Sequence, residues 1–302
     1  MSTLPEIRVG DPISYQSLAV FPLFSAVDAR VDYLLSDEAI GAGTVAVEEV
    51  NEGGSVPNLM VINHGDSRVL FLEGEELRGA KQNRVLNTSV LVEAHSKTAI
   101  PVSCVEQGRW RYRSRQFATS DSHSSSKLRH ILKKSAYRAM KEGHGYSSDQ
   151  SAVWSEVSRQ MASLQSFSPT EAMSDTFQTN KDRLAEFQER LKYIPGASGV
   201  AVAVGKRVVA LDLFDRPSTC GRVWDRLLSG VVMDALEESQ SDELAQSSDV
   251  EALIARLRSR EWEPAPAVGL GQEFRLDPDA ATHASALMFQ DSMLHGSVVV
   301  AS

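Results

Sequence analysis

Cysteine is scarce in this chain of 302 residues, which has only Cys104 and Cys220. Two cysteines exclude a disulfide framework and a cysteine zinc cluster. No apolar run approaches the roughly 20 residues that a membrane-spanning helix needs. The first fifteen residues lack the basic region and the apolar core of a signal peptide. We therefore expect a cytoplasmic protein with no membrane partner.

Positive charge is also in deficit, because the formal net charge is −9 at pH 7. Whole-domain basicity is the usual electrostatic mark of a nucleic-acid coat protein, so a nucleic acid is the less expected partner. The HExxH, GxSxG and phosphate-loop patterns are missing as well, and GLGQEF (269–274) falls short of a dinucleotide fingerprint. Composition is that of a globular protein, with 42% hydrophobic and 24% charged residues.

Short runs rich in β-branched residues fill the N-terminal part and predict strands. They are LAVFPLF (18–24), TVAVEEV (44–50), NLMVINH (58–64), RVLFLEG (68–74), TSVLVEA (88–94) and AIPVSCVE (99–106). NHGDSR (63–68) carries turn residues and predicts a hairpin. Close spacing without intervening helices favours one antiparallel sheet.

Helical periodicity replaces this pattern after a polar stretch, SDSHSSSK (120–127), which we interpret as a linker. Helices are predicted over 127–143 and 149–164, and a third begins at SPTE with Ser168 as its N-cap and breaks at Pro195. A hairpin (199–214), helices starting at Ser218 or Thr219 and near 248, and terminal strands with a turn at 290–292 follow. The prediction is a single α+β domain over 1–302, mainly antiparallel, with parts at 15–117, 127–193 and 198–302.

One stretch, FLEGEELRGAKQNR (71–84), concentrates functional groups beside a predicted strand. If the strand continues, Glu73 and Glu75 share one face and could hold a hard cation or divide acid and base roles. Arg78 and Arg84 could clamp a phosphate. The other candidate ligand-binding groups here are Glu76, Gln82 and Asn83, with Lys81 as a point charge. Glu–Arg pairing at a sheet rim is the structural alternative.

A second stretch, IPVSCVEQGRW (100–110), ends a predicted strand with Glu106, Gln107, Arg109 and Trp110. Glu106 is a candidate base or metal ligand, while Gln107, Arg109 and Trp110 are candidate ligand-binding groups. No Cys-His catalytic pattern lies near Cys104, so we expect it to be a small buried residue. We expect the two stretches to face each other and to line one polar cleft.

A basic run follows, from Arg109 to Lys141, with alternating arginines in RWRYRSRQF. Trp110 and Tyr112 lie among them, which suggests an anion-binding face. A charged strand edge that prevents aggregation is an equally good explanation. His295, in MLHGSVVV, is more typical of a core histidine than of a metal ligand.

The motifs LEGEELRGAKQNRVLNTSVLV, IPVSCVEQGRW, DQSAVW, SPTEA and LDLFDRP resemble an uncharacterised prokaryotic family, the ARG-and-rhodanese-phosphatase-superfamily-associated protein domain. The resemblance runs from about residue 15 to the end. Because that family is named for neighbouring ADP-ribosylglycohydrolases and rhodanese-like phosphatases, it implies a role near NAD or ADP-ribose metabolism. It supplies no catalytic residues.

The sequence supports two candidate functions. The first is a pocket that binds, and in an enzyme would hydrolyse, a phosphorylated nucleotide-like molecule, with Glu73, Glu75 or Glu106 as base or as ligand to a divalent metal. The second is a non-enzymatic module whose basic run docks an acidic partner or nucleic acid. The net charge favours the small-molecule pocket. Self-association into a homo-oligomer stays open.

Overall fold

The computed structural model describes residues 4–25, 30–51, 53–54, 57–238 and 243–301, apart from the side chain of residue 278. Helices and antiparallel sheets both contribute, which confirms the α+β class. The N-terminal strands are β1 (Ile7–Val9), β2 (Ile13–Tyr15), β3 (Leu18–Ser25), β4 (Leu34–Leu35), β5 (Val45–Glu49), β6 (Asn58–Asn63), β7 (Val69–Phe71), β8 (Glu75–Gly79), β9 (Arg84–Leu86), β10 (Val90–Val92), β11 (Lys97–Cys104) and β12 (Phe117–His123). The C-terminal strands are β13 (Gly199–Val204), β14 (Arg207–Phe214), β15 (Glu263–Pro266), β16 (Gln272–Asp279), β17 (Thr282–Phe289) and β18 (Ser292–Val300).

The helices of the described residues lie mostly between the two groups of strands and after β14. They are α1 (Ser36–Gly41), α2 (Ser126–Lys141), α3 (Gln150–Ser163), α4 (Met173–Thr179), α5 (Lys181–Arg190), α6 (Pro217–Glu237) and α7 (Ser247–Arg258). Among these residues, no helix is both long enough and apolar enough to cross a bilayer.

The largest sheet combines both ends of the chain, in the order β1-β3-β13-β14-β18-β17-β16-β15, with β2 also paired to β3. Strand side chains alternate between faces, so each strand serves two cores. Val200 and Val202 of β13 pack in the cluster that contains Trp224 of α6. Ala201 and Ala203 pack in the opposite cluster, which contains the apolar side of α7. Both faces of this sheet are therefore covered by helices.

A six-stranded sheet, β12-β8-β9-β11-β6-β5, and a three-stranded sheet, β10-β7-β4, share a third apolar cluster. Every pairing is antiparallel except that of β4 with β7. Helices α2, α3 and α4 pack in a fourth cluster, which also includes Val85 and Val105. This cluster holds the helices against β9 and the end of β11, beside the two polar stretches.

Several local predictions are confirmed. Helix α2 ends just before Gly143, α3 begins after its N-cap Asp149, and β13 and β14 form the predicted hairpin. Gln290 and Asp291 have φ of 49° and 62°, which gives β17 and β18 the tight turn expected at 290–292.

Other predictions are wrong for reasons of long-range pairing. NHGDSR does not close a hairpin, because β6 pairs with β5 and β11 while β7 pairs with β4 and β10. The expected N-terminal sheet is divided among three sheets. The first half of the supposed linker at 120–127 belongs to β12, which pairs with β8, and its end begins α2. Ser125 caps this helix by accepting from the Leu128 amide.

Helix starts also differ from the prediction. Ser168 does not cap a helix, since α4 begins at Met173 and the Ser168 hydroxyl instead accepts from the amides of Thr170 and Ala172. The third predicted helix is two helices, α4 and α5, and ends at Arg190 rather than at Pro195. Helix α6 starts with Pro217 after Arg216, so no Ser or Thr caps it.

Candidate functional site

Strand pairing brings the two polar stretches into contact. β8 and β9 form an antiparallel pair, and β9 pairs with β11 so that Arg84 lies opposite Cys104. The Asn83 amide donates to Glu106 Oε2 at 3.0 Å, and Gln82 Nε2 donates to the Glu106 carbonyl at 3.0 Å. The prediction that the stretches meet is confirmed for residues 79–84 and 104–110.

Two further segments converge on the same place. Gln150 of DQSAVW holds both backbone groups of Cys104, donating to its carbonyl and accepting from its amide, each at 2.8 Å. Thr170 of SPTEA donates to Glu106 Oε1 at 2.9 Å. A Cβ at Gly108 would lie 2.9 Å from the Thr170 Cα, so this approach requires glycine. We call this meeting point, residues 79–84, 104–110, 150 and 170, the motif junction.

Arg109 and Glu106 form a buried ion pair at the centre of the motif junction. Arg109 donates to both Glu106 carboxylate oxygens, at 2.8 and 2.6 Å. Its remaining donors reach the carbonyls of Gly79, Ala80 and Arg111 and the Asn83 side chain. Burial alone would raise the pKa of Glu106, but hydrogen bonds from Arg109, the Asn83 amide and Thr170 outweigh it and hold that pKa below its ordinary value.

Arg84 is the opposite case, a buried guanidinium that the protein uses only in part. Its Nη1 donates to Gln82 Oε1 at 3.1 Å and to the Asn83 carbonyl at 3.4 Å. Its Nε and Nη2 have no hydrogen-bond partner among the described residues. Burial lowers its pKa, the direction expected of a desolvated cation.

The surface beside Arg84 carries two exposed aromatic rings. Trp110 is 48% exposed and Tyr112 is 51% exposed. Lys81 Nζ lies 5.2 Å from the Trp110 ring centroid and 5.1 Å from that of Tyr112, and Arg84 Cζ lies 5.8 Å from the Trp110 centroid. A depression of about 740 Å³ adjoins them, lined by Glu48, Glu49, Asn51, Tyr112, Arg113, Ser114 and Arg115. We call the two rings and this depression the aromatic rim.

The three glutamates of the first stretch do not gather around one cleft. The strand breaks after Phe71 and resumes at Glu75, and Gly74 between them has φ of 79°, so the predicted shared face of Glu73 and Glu75 is wrong. Glu75 pairs with Arg226 at 3.0 Å and accepts from the Leu72 amide at 3.0 Å. It is buried within these contacts.

Glu76 is buried with a single hydrogen bond, which it accepts from the Ser120 hydroxyl at 2.8 Å. Its other carboxylate oxygen has no partner among the described residues. Burial raises the pKa of Glu76 to about 7, with the charges of Glu106 and Asp175 acting in the same direction. At neutral pH this carboxyl is therefore partly protonated.

Glu73 belongs to an interior charge network that the sequence analysis did not identify. The network joins Glu73, Arg129, Lys133, Asp212 and His295, all buried. Arg129 clamps Asp212 with two bonds of 2.9 and 2.6 Å and reaches Glu73 at 3.3 Å, and Lys133 pairs with Glu73. Despite burial, these cations lower the pKa of Glu73 to about 2. His295 bridges Asp212 and Ser89, as expected of a core histidine.

A sequence signal for this network did exist. Arg129 and Lys133 lie four residues apart on α2, on the same buried side as Leu128, Leu132 and Ala136. Cations on the apolar side of an amphipathic helix need buried anions as partners. Along the sequence these residues belong to the basic run, but on the helix they lie on its buried side.

The basic run does not form one continuous face. Arg109, Arg129 and Lys133 are buried in ion pairs, and Lys127 and Lys141 pair with Glu237 and Glu263. Five cations of the run are exposed and have side chains without a partner among the described residues: Arg111, Arg113, Arg115, Lys134 and Arg138. Of the other predicted site residues, Arg78 and Gln107 are exposed. In the described part of the chain, no group of three His, Cys, Asp or Glu side chains is placed to hold a metal.

Comparison with known protein families identifies a match that covers nearly the whole chain. The model of the ARG and Rhodanese-Phosphatase-superfamily-associated Protein domain matches residues 6–299. Searches of curated proteins and of solved structures find no match. Four of the five motifs that carried the resemblance meet at the motif junction, and the fifth, LDLFDRP, supplies Asp212 of the interior charge network.

Proposed function

The chain belongs to the ARG and Rhodanese-Phosphatase-superfamily-associated Protein domain family, and from that premise we propose that it binds a phosphorylated, nucleotide-like small molecule at the aromatic rim. Arg84 takes the phosphate, and Trp110 or Tyr112 stacks on the ring of the ligand. The single observation that carries the proposal is Arg84, a buried cation with two unused donors beside exposed aromatic rings.

Unused buried donors are costly, which is why Arg84 points to a ligand. A buried donor without a partner costs about 1–3 kcal/mol, and a buried charge without compensation costs more. The nearby acid Glu106 is already engaged by Arg109. The charge of Glu49 also favours the Arg84 cation, but within the described residues neither acid forms an ion pair with it. An arginine fork matches the geometry of a phosphate, which would supply both the acceptors and the charge.

The aromatic rim provides the second half of the recognition. Tyr and Trp are enriched at binding interfaces, and here an exposed residue of each type lies within reach of one lysine. Stacking of a base on an aromatic ring is worth about 1–3 kcal/mol. Arg113 and Arg115 line the adjoining depression together with Glu48 and Glu49, so they offer guanidinium donors to a further phosphate group although the lining has no excess of positive charge.

Access requires a side-chain movement. The two unused nitrogens of Arg84 are enclosed, so a phosphate reaches them when a neighbouring side chain turns aside. We propose Trp110 for this role, because its ring is near Arg84 and half-exposed. Ligand binding should therefore change the intrinsic tryptophan fluorescence.

Hydrolysis of the bound molecule stays a prediction. Glu73, Glu75 and Glu106 have separate sets of partners, and each is engaged by an arginine. Glu106 is the closest of the three to Arg84 along the paired strands β9 and β11, so it is the residue to test for a role as base or metal ligand. Loss of turnover in Glu106→Gln with unchanged ligand affinity would identify that role.

Thermal-shift measurements with ADP-ribose, NAD and ADP at millimolar concentration, with and without magnesium or manganese, test the proposal. A ligand at about 100 times its Kd adds roughly 2.7 kcal/mol of stability. We expect stabilisation of the wild type that Trp110→Ala and Tyr112→Ala reduce. Phe167→Ala is the matched control, because Phe167 is 81% exposed and lies outside the aromatic rim.

No stabilisation by any of these ligands would contradict the proposal. Salt dependence separates it from docking of a polyanion on the exposed arginines, since binding that neutralises several phosphates weakens steeply between about 50 and 200 mM salt. A small ligand at the aromatic rim should respond much less. A steep salt dependence with equal effects of the Trp110 and Phe167 variants would favour the interaction module.

A further inference from the structure

A second cleft, of about 670 Å³, lies between α2, the loop that follows it and the β16–β17 turn. Its size is within the usual range of about 300–1,000 Å³ for small-molecule sites. The residues that matter for its chemistry are Lys134, Arg138, Glu142, His144, Asp149, Asp277 and His283. None of them belongs to the motif junction or to the aromatic rim.

The acidic groups in the wall of this cleft already have partners. Asp277 Oδ1 contacts Nδ1 of His283. Asp149 caps α3 by accepting from the Ala152 amide at 3.1 Å. Glu142 lies 3.8 Å from a ring nitrogen of His144. These contacts hold the three carboxylates but do not neutralise them, so an anionic group is favoured only next to the cations that α2 contributes to the wall.

The two cations in the wall have no such partners. Lys134 and Arg138 are four residues apart on α2, so they project from the same side of the helix. Both are exposed, and neither side chain has a hydrogen bond or ion pair within the described part of the chain. Their combined charge matches that of a phosphomonoester, which carries about −1.5 to −2 at pH 7.

His283 adds a neutral recognition group to the opposite wall. Its side chain is 5% exposed, its Nδ1 faces Asp277, and its Nε2 has no hydrogen-bond partner among the described residues. With the proton on Nδ1 shared with Asp277, Nε2 is an acceptor. That nitrogen is shielded from solvent, so a ligand hydroxyl donates to it when the His283 ring turns toward the cleft.

We infer that this cleft binds a small phosphorylated polyol, with its phosphate between Lys134 and Arg138 and a hydroxyl donating to His283. The site is independent of the proposed function, because it uses no residue of the aromatic rim and needs no ring for stacking. It would give the chain a second anionic ligand.

Isothermal titration with glucose 6-phosphate tests the inference, with glucose and inorganic phosphate as partial ligands. Lys134→Ala/Arg138→Ala should weaken binding by about tenfold or more, because charge-assisted hydrogen bonds are lost. The matched control is Lys181→Ala/Arg190→Ala on α5, which removes the same charges from exposed residues outside the cleft. It should bind as the wild type does.

His283→Asn should weaken binding of glucose 6-phosphate and leave binding of inorganic phosphate unchanged. Arg84→Met should affect neither, so failure here is distinguishable from failure at the aromatic rim. The inference is overturned if wild type does not bind glucose 6-phosphate at millimolar concentration. Equal weakening by the two double variants would also overturn it, since binding would then reflect overall charge.

Discussion

Replacing Glu76 with glutamine should change how stability depends on pH. Glu76 is buried without an ion pair, and its carboxyl has one hydrogen bond, from Ser120. Burial raises its pKa from the ordinary value of 4.5 to about 7. Glutamine has the same shape and can still accept from Ser120, but it does not titrate.

The direction in which stability changes with pH follows from the number of protons that the folded and unfolded chains bind. Between pH 4.5 and 7 the unfolded chain has released the Glu76 proton while the folded chain keeps it, so this group makes the wild type less stable as pH rises through that window. One pKa unit corresponds to about 1.4 kcal/mol, so the pKa change corresponds to about 3 kcal/mol. We expect Glu76→Gln to gain about that much relative to wild type between pH 4.5 and pH 8.

Urea unfolding of both proteins at several pH values measures this difference. The comparison is needed because other groups act in the opposite sense: burial lowers the pKa of His123 to about 3, so that residue adds stability as pH rises toward 6.5. Such contributions are common to both proteins and cancel in the difference. A difference that does not vary with pH, or that favours wild type at pH 8, would refute the reasoning.

Three other predictions follow from buried ionic groups. Arg109→Lys should lower the free energy of unfolding by about 3–5 kcal/mol in urea titrations, because an ammonium cannot replace the contacts to Glu106 and the surrounding carbonyls; an unchanged midpoint would contradict this. Glu73→Gln should lower the free energy of unfolding by a similar amount, because Arg129 and Lys133 lose a buried anion. The wild type should lose stability as pH falls from 4.5 to about 2, and acid titration of the variant should show that this loss is gone. His123→Gln should lessen the loss of wild-type stability as pH falls from 6.5 toward 3, so parallel stability curves for the two proteins would count against it.

Local structure could be predicted where a pattern repeats along the chain. The helical spacing of apolar residues in α2 and α3, and the apolar strands on both sides of Gly205, are visible within short segments of the sequence. The pairing partners of β6 and β7 could not be predicted in this way. Two adjacent apolar runs with a turn between them resemble a hairpin, whichever sheets the two strands join. β12 was missed because its polar residues resemble a linker, and its pairing with β8 lies about 40 residues away in sequence.

The site could be located from the sequence more readily than it could be interpreted. Charged and amide groups beside strand ends mark the stretches 71–84 and 100–110, and the two meet through residues 79–84 and 104–110. Which arginine has unused donors depends on backbone carbonyls such as those of Gly79 and Ala80, whose positions no side-chain pattern reveals. Arg109 and Arg84 therefore look alike in sequence and differ in the structure.

Arg84→Met tests the central claim most directly, with ligand affinity and unfolding free energy measured on the same variant. Because methionine removes a buried charge with two unused donors, we predict stability equal to or above that of wild type, together with loss of ADP-ribose binding. Arg84→Lys, which keeps the charge without the planar fork, should also bind poorly. A destabilised Arg84→Met protein that binds ADP-ribose as tightly as wild type would show that Arg84 is a structural residue and would contradict the account.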